Sequence, residues 1–314
     1  MLTRRHIRVK VLQSIYYFHQ NRHQDLGVQE KFLWHSLDQM RDLYLLQLQL
    51  FVEIRKHAET YRKRSKNRFT QSQDKSSSST NFINNKLLLL IENNEELKDT
   101  IEKKRLNYWE LDDEFVHTFF GELREKDWFI DYLSIEDPSF KDDKEVVVRL
   151  FKEIIAPNEG LYQYLEEKRL TWLDDYPLVN TTILKVFKRV NPSNVATFLI
   201  PDLYKSFDDK EYALQLLRKV ILNDEKLSKE IKGKTPNWDQ DRIAVMDMII
   251  LKMGIAEFLH FPSIPVRVTI NEYLEIAKEY STAKSSLFIN GILDKLVKEY
   301  EEEGKLNKIG RGLR

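Results

Sequence analysis

The sequence predicts an all-α protein, and three observations carry that prediction. Only 9 glycines and 8 prolines punctuate 314 residues, so turn signals are too sparse for a chain of short strands. Leu, Lys, Glu, Ile and Gln, which suit helices, are abundant. Apolar residues recur at helical spacing in block after block. The hydrophobic fraction of 42% is enough to fill a core. Fifty basic and fifty acidic residues cancel, so attraction to nucleic acid must come from a local patch. With no cysteine, disulfides, thiolate metal sites and cysteine nucleophiles are excluded.

Taken in order, residues 3–22 read as a helix, with Thr3 as N-cap and Ile7, Val11, Ile15 and Phe18 along one side. Gln29 to Arg64 reads as a second helix, deeply buried over Leu43 to Val52. From Ser65 to Asn85 the chain turns Ser-, Asn-, Gln- and Lys-rich and reads as a flexible linker or loop. Helical patterning returns over 86–235, with cores at Leu87–Ile91, Val116–Leu123, Val146–Ile155 and Thr181–Val190. Asp239 to Leu259 is a strongly apolar helix, followed by a turn through Pro262 and Pro265. Thr269 to Tyr280 and Ala283 to Glu302 read as the last two helices. The tail from Gly304 holds four basic residues and no acid, and is expected to be mobile. The apolar stretch Val9 to Phe18 is too short and too polar for a signal or a membrane span.

The first twenty-four residues contain Arg4, Arg5, Arg8, Lys10 and Arg22 and no acid. Arg4 and Arg8 stack on one helix face, with Arg5 beside them. Such a cluster can bind phosphates and stack on unpaired bases, or it can be a solvated face. Basic residues at a helix N-terminus oppose the macrodipole, a penalty that a bound anion removes.

Two separated blocks resemble the NusB family. One is Arg4-Arg5-His6-Ile7-Arg8 followed by Gln13, Ile15 and Tyr16. The other begins at Asn237-Trp238 and Asp241-Arg242-Ile243 and passes through Ala256-Glu257-Phe258-Leu259, Ile264-Pro265 and Ile270-Asn271-Glu272. It continues through Ile276-Ala277-Lys278 and closes on Phe288-Ile289-Asn290-Gly291-Ile292-Leu293-Asp294-Lys295. The resemblance covers roughly 3–20 and 237–298. It implies a NusB-like helical bundle with a large helical insertion. In this division 1–64 holds the N-terminal helices, 65–85 a linker, 86–208 the insertion, 209–303 the C-terminal bundle and 304–314 a basic tail.

The resemblance also implies a function: transcription antitermination, through binding of boxA-type single-stranded RNA together with NusE, a ribosomal small-subunit protein. It places RNA contacts at Arg4, Arg5 and Arg8, with His6 where the family often has a further basic residue. Phe288 becomes a candidate base-stacking aromatic, beside Lys284, Ser285 and Ser286 at a helix start; packing against Ile292 is the competing reading. Asp247, with Leu251 and Gly254 on its side of the helix, aligns with the acidic NusE-binding position, and a solvated Asp is the alternative. Asn271, Glu272, Asn290 and Gly291 read as structural support, Gly291 by letting a neighbouring helix approach closely.

No Walker A loop, G-x-G-x-x-G or H-E-x-x-H occurs, and the seven histidines show no metal-site spacing. The chain is therefore expected to be a cytoplasmic, non-enzymatic protein without cofactor or membrane contact; the resemblance implies that it reaches the RNA polymerase elongation complex only indirectly. The competing reading is a helical protein-binding scaffold that has kept the fold and lost the RNA surface.

Overall fold

The computed structural model describes residues 1–20, 25–68, 79–194, 198–232, 234, 243–282 and 284–310. Arg22, Asn237-Trp238 and Asp241-Arg242 of the sequence motifs lie outside them, as do 69–78 of the expected linker and 311–314 of the tail. The described residues are helical, with no strand among them. In order the helices are α1 (Arg4–Gln20), α2 (Leu26–Arg68), α3 (Lys86–Glu92), α4 (Glu95–Lys104) and α5 (Tyr108–Leu111). Then come α6 (Glu114–Arg124), α7 (Asp127–Ser134), α8 (Phe140–Leu150), a π-helical turn (Phe151–Ile155), α9 (Glu159–Lys168) and α10 (Trp172–Arg189). The chain closes with α11 (Phe207–Leu222), α12 (Asp224–Lys232), α13 (Val245–His260), α14 (Val266–Tyr280) and α15 (Ser285–Glu302).

The chain divides into two compact units. One joins residues 2–37 to 204–314; the other holds 38–203 together with Met1. The boundaries of these units fall at 37/38 and 203/204. The first lies within α2, which is one helix that begins in the terminal unit and ends in the insertion unit.

In the insertion unit, Leu43, Tyr44, Leu45, Leu46, Leu48, Leu50 and Phe51 are all fully buried, as expected for a helix apolar on every side. The Phe51 ring meets Phe151 at 5.8 Å and Phe187 at 5.3 Å. Indole N–H groups of Trp109 and Trp172 donate to the carbonyls of Leu46 and Gln39 at 2.7 and 2.8 Å, so both large rings are buried without an orphaned donor.

The segment expected to be a flexible linker is partly ordered. The helix α2 runs on to Arg68, and residues 79–85 are anchored. The Asn81 side-chain amide donates to the carbonyls of Tyr132 and Ile135 at 3.0 and 2.7 Å. Asn85 is fully buried; its Oδ1 accepts from the N–H groups of Leu87 and Leu88, capping α3. Polar composition here marks capping and hydrogen bonding rather than loose chain.

In the terminal unit, α13 is the central element. Every residue from Ile249 to Phe258 is buried, and α13 packs on α1, α11, α12, α14 and α15. The first helix packs on α11, α13 and α14, so the start and end of the sequence share one core, as the two-block resemblance predicts. The start of α2 joins this core as well: Phe32 stacks on Tyr17 at 4.9 Å, and Glu30 takes a bidentate pair with Arg218. The tail is also fixed as far as described. Lys308 Nζ donates to the Phe261 carbonyl at 3.1 Å, and the Ile309 N–H to that of Pro262 at 3.1 Å.

The close helix approach expected at Gly291 occurs instead at Gly254. A Cβ at Gly254 would sit 3.0 Å from Leu293 Cδ2 and 3.6 Å from Tyr273. At Gly291, which is exposed, it would meet nothing within 4 Å. Gly291→Ala should therefore gain about 1 kcal/mol of stability from helix propensity. Gly254→Val should lose about 1–3 kcal/mol from overpacking. Urea unfolding of the two variants checks this, and equal midpoints would remove the distinction.

Candidate RNA-binding surface on the first helix

Thr3 starts α1: its carbonyl accepts the Ile7 N–H at 3.1 Å, and its Oγ1 lies 2.6 Å from His6 Nδ1. The helix then presents its cationic side chains to acids contributed by the C-terminal helices. Arg4 Nε donates to Asp209 Oδ1 at 2.9 Å, with its guanidinium 5.2 Å from the Tyr212 ring centroid. Arg5 makes a bidentate pair with Glu272, at 3.0 and 2.9 Å. Both arginine side chains remain 40% exposed.

Arg8 is different. Its side chain is 2% exposed and that of Glu257 fully buried. Arg8 Nε and Nη2 donate to the two Glu257 oxygens at 2.9 and 2.7 Å, and Nη1 reaches Glu272 at 3.4 Å. The rings of Tyr212 and Tyr273 flank the guanidinium, each 5.6 Å away. Glu257 accepts further bonds from the hydroxyls of Tyr212 (2.5 Å), Thr269 (2.7 Å) and Tyr273 (3.2 Å). Burial pushes the Glu257 carboxyl up, but the Arg8 charge and these hydrogen bonds outweigh it and hold it below the ordinary carboxylate range. Burial and the neighbouring carboxylate push both tyrosines well above their ordinary values, so they donate as neutral phenols.

Arg8, expected as an RNA contact, is almost wholly buried and pairs with Glu257, although it lines the floor of the cleft beside Arg4 and Arg5. His6 lines the same cleft as Arg4 and Arg5, a hollow of about 620 Å³ closed on its other side by Ile264, Pro265 and Val268. Burial, with Arg5 and Lys10 nearby, lowers the His6 imidazole to about 4. It is neutral at physiological pH and supplies no charge to a phosphate.

At the C-terminal block, Lys284 is exposed and Phe288 half-buried. Ser285 is buried, and its hydroxyl donates to Asp247 Oδ2 at 2.8 Å. Ser281 donates to the other Asp247 oxygen. Asp247 thus accepts two hydrogen bonds that pin the turn between α14 and α15. Leu251 is fully buried, and Gly254 faces Leu293 and Tyr273. The expected partner surface of Asp247, Leu251 and Gly254 is interior packing; an acid flanked by apolar residues at helical spacing looks the same in sequence whether it caps a turn or faces a partner. Sequence reasoning missed Asp209, Glu257 and Tyr212 as the partners of the basic helix. Glu257 stood inside the quoted motif, but nothing local ties it to a residue 249 positions earlier.

Two predictions follow from this geometry. Glu257→Gln leaves Arg8 charged and buried with only the longer contact to Glu272, and should cost about 3–5 kcal/mol; Arg5→Gln, which breaks a partly exposed pair, should cost no more than about 1 kcal/mol. Equal unfolding midpoints for the two would contradict the buried pair. The second concerns pH. The depressed folded value of His6 means the unfolded chain takes up a proton between about 6.5 and 4 that the folded chain refuses, so stability falls as pH drops across that window. His6→Gln should shrink the difference between urea midpoints at pH 7 and pH 5; an unchanged difference would show that His6 is not held neutral.

A NusB family model matches residues 194–298. The chain is 40% identical over 120 residues to a transcription antitermination protein NusB of Chloroherpeton thalassium, covering 38% of this chain and 57% of that protein. It is 38% identical over 104 residues to the NusB of Salinibacter ruber, covering 33% of this chain and 65% of that one. The chain thus spans less than two thirds of the length of either curated relative. A solved structure of T. maritima NusB is 30% identical, covering 40% of this chain and 92% of that one, with a TM-score of 0.31. The helix α1 lies outside the family-matched span but within the same compact unit. The chain carries a NusB-family domain, accompanied by a large further helical region.

Proposed function

We propose that this chain is a non-enzymatic transcription antitermination factor whose NusB-family domain binds boxA-type single-stranded RNA together with NusE. The observation that carries the RNA part is the pair of half-exposed guanidinium groups, Arg4 and Arg5, at the mouth of the cleft between α1 and the start of α14. Their carboxylate partners do not rule this out. Partly exposed ion pairs are worth about 0–1 kcal/mol, so a phosphate can compete with Glu272 for Arg5, whereas Arg4 is held by the buried Asp209 and is costlier to free. Lys284 adds an exposed charge, and Phe288 beside it is half-buried. Antitermination is what the relatives' names print, while NusE and the elongation complex follow from the family resemblance of the sequence.

One observation favours the scaffold reading: all three arginines expected to touch RNA already hold acids. Salt dependence separates the two. For single-stranded RNA each phosphate contact steepens log K against log salt by roughly 0.7. Arg4→Gln/Arg5→Gln should therefore flatten the slope by about 1.4 in a boxA-type RNA titration, with and without NusE. A folded double variant with wild-type affinity and slope would leave the scaffold reading in place.

A further inference from the structure

Charge is least balanced at the end of α2. Residues 55–68 include Arg55, Lys56, Arg62, Lys63, Arg64, Lys66 and Arg68 against the single acid Glu59. Cations in the last turn of a helix complement its dipole, and some of these are already spent. Arg55 is buried on Glu92 and the Ile83 carbonyl, and Lys63 pairs with Glu59. The dipole does not account for what lies beside them. Arg124, at the end of α6, places its guanidinium 4.4 Å from the Tyr61 ring centroid and 6.0 Å from Phe120. Tyr61 is 38% exposed and packs on Phe120 at 5.5 Å. Arg64 and Arg124 are exposed, and neither has a carboxylate partner among the described residues.

The same face carries His57 and His117, with ring centroids 4.4 Å apart and Asp113 at 3.6 Å from His117. Burial first, then His117 and Arg64, hold the His57 imidazole below its ordinary value, as a locally positive field would. An accessible aromatic ring beside unpaired guanidinium groups is the combination that single-stranded nucleic acid uses: bases stack on the ring while phosphates take the charge.

We infer that this face of the insertion unit, formed by Tyr61 and Arg64 of α2 and Arg124 of α6, is a second contact surface for single-stranded RNA. Tyr61 is the stacking platform, and the two arginines are the phosphate ligands. The inference rests on the RNA reading of the NusB-family domain and extends it to the part of the chain that the family match leaves uncovered.

The test titrates the full chain against a fluorescent single-stranded RNA of about 20 nucleotides at several salt concentrations. Heparin and phosphatidylserine vesicles serve as non-nucleic polyanions. Arg64→Gln/Arg124→Gln should flatten the salt slope by about 1.4. Tyr61→Ala should weaken RNA binding about 5- to 150-fold with the slope unchanged. Circular dichroism first establishes that each variant is folded, and Tyr61→Leu, which keeps apolar packing on Phe120 but loses the aromatic face, replaces Tyr61→Ala if that variant unfolds. If the Arg64/Arg124 variant keeps wild-type binding while Arg4→Gln/Arg5→Gln loses it, the RNA reading stands and the second surface does not. If both bind as wild type, the RNA reading falls and takes the inference with it. If Tyr61 variants bind RNA normally while heparin or vesicle binding drops with the arginines, the face is a general polyanion or lipid surface, and the inference is overturned.

Discussion

The buried ion pair between Arg8 and Glu257 is the interaction on which the terminal unit depends. It joins the first helix to the central helix of the C-terminal bundle, and both partners are almost wholly removed from water. Desolvating two charges is expensive, and Coulomb attraction alone seldom recovers it. Here the cost is offset by completeness. The Glu257 oxygens accept from the Arg8 guanidinium and from the hydroxyls of Tyr212, Thr269 and Tyr273. A fully connected polar network of this kind admits one arrangement of its helices and penalises the rest, since any slip leaves a buried charge unpaired.

That constraint sorts the basic side chains of α1 into two jobs. Arg4 and Arg8 are four residues apart and share a helix face, yet one turn of rise carries the first out to the rim and the second into the core. Glu272 stands at the boundary: it holds Arg5 with two hydrogen bonds and touches Arg8 with a third. The orientation of the exposed guanidinium is therefore tied to the buried one. The Arg5 guanidinium is thereby held in one orientation by Glu272 rather than rotating freely. Asp247 does the equivalent for the C-terminal segment, fixing the turn from which Lys284 and Phe288 project through Ser281 and Ser285.

The all-α class, the deeply buried middle of α2 and the union of the first helix with the C-terminal block were legible in the sequence, because each leaves a periodic or motif signal. Individual roles were not. Arg8 reads as a surface cation because nothing near it in sequence is acidic; its partner lies 249 residues away. Asp247, Leu251 and Gly254 read as an interface because an acid among apolar residues looks the same whether it faces a partner or caps a turn. Gly254 and Gly291 are both mid-helix glycines, and only the position of Leu293 shows which one needs to lack a side chain. The residues 79–85 read as loose chain because Asn and Ser favour loops on average, while the Asn81 amide donates to carbonyls at the end of α7 and Asn85 both caps α3 and donates to Tyr132 and Asp143.

The same reasoning explains how a bundle of this kind tolerates so long an interruption. The terminal unit must close around a segment running from residue 38 to 203. The entropy of closing a flexible loop grows only with the logarithm of its length, about 0.6 kcal/mol for each doubling. The interrupting residues are not a flexible loop, since they bury their own core around Phe51, Trp109 and Trp172. What remains is to hold α1 in register against α11, α13 and α14. Apolar contact alone discriminates poorly between registers, whereas a single buried charge with one matching site discriminates strongly. In this protein that selection falls to Arg8, which explains why a residue in the basic cluster is withdrawn from the surface.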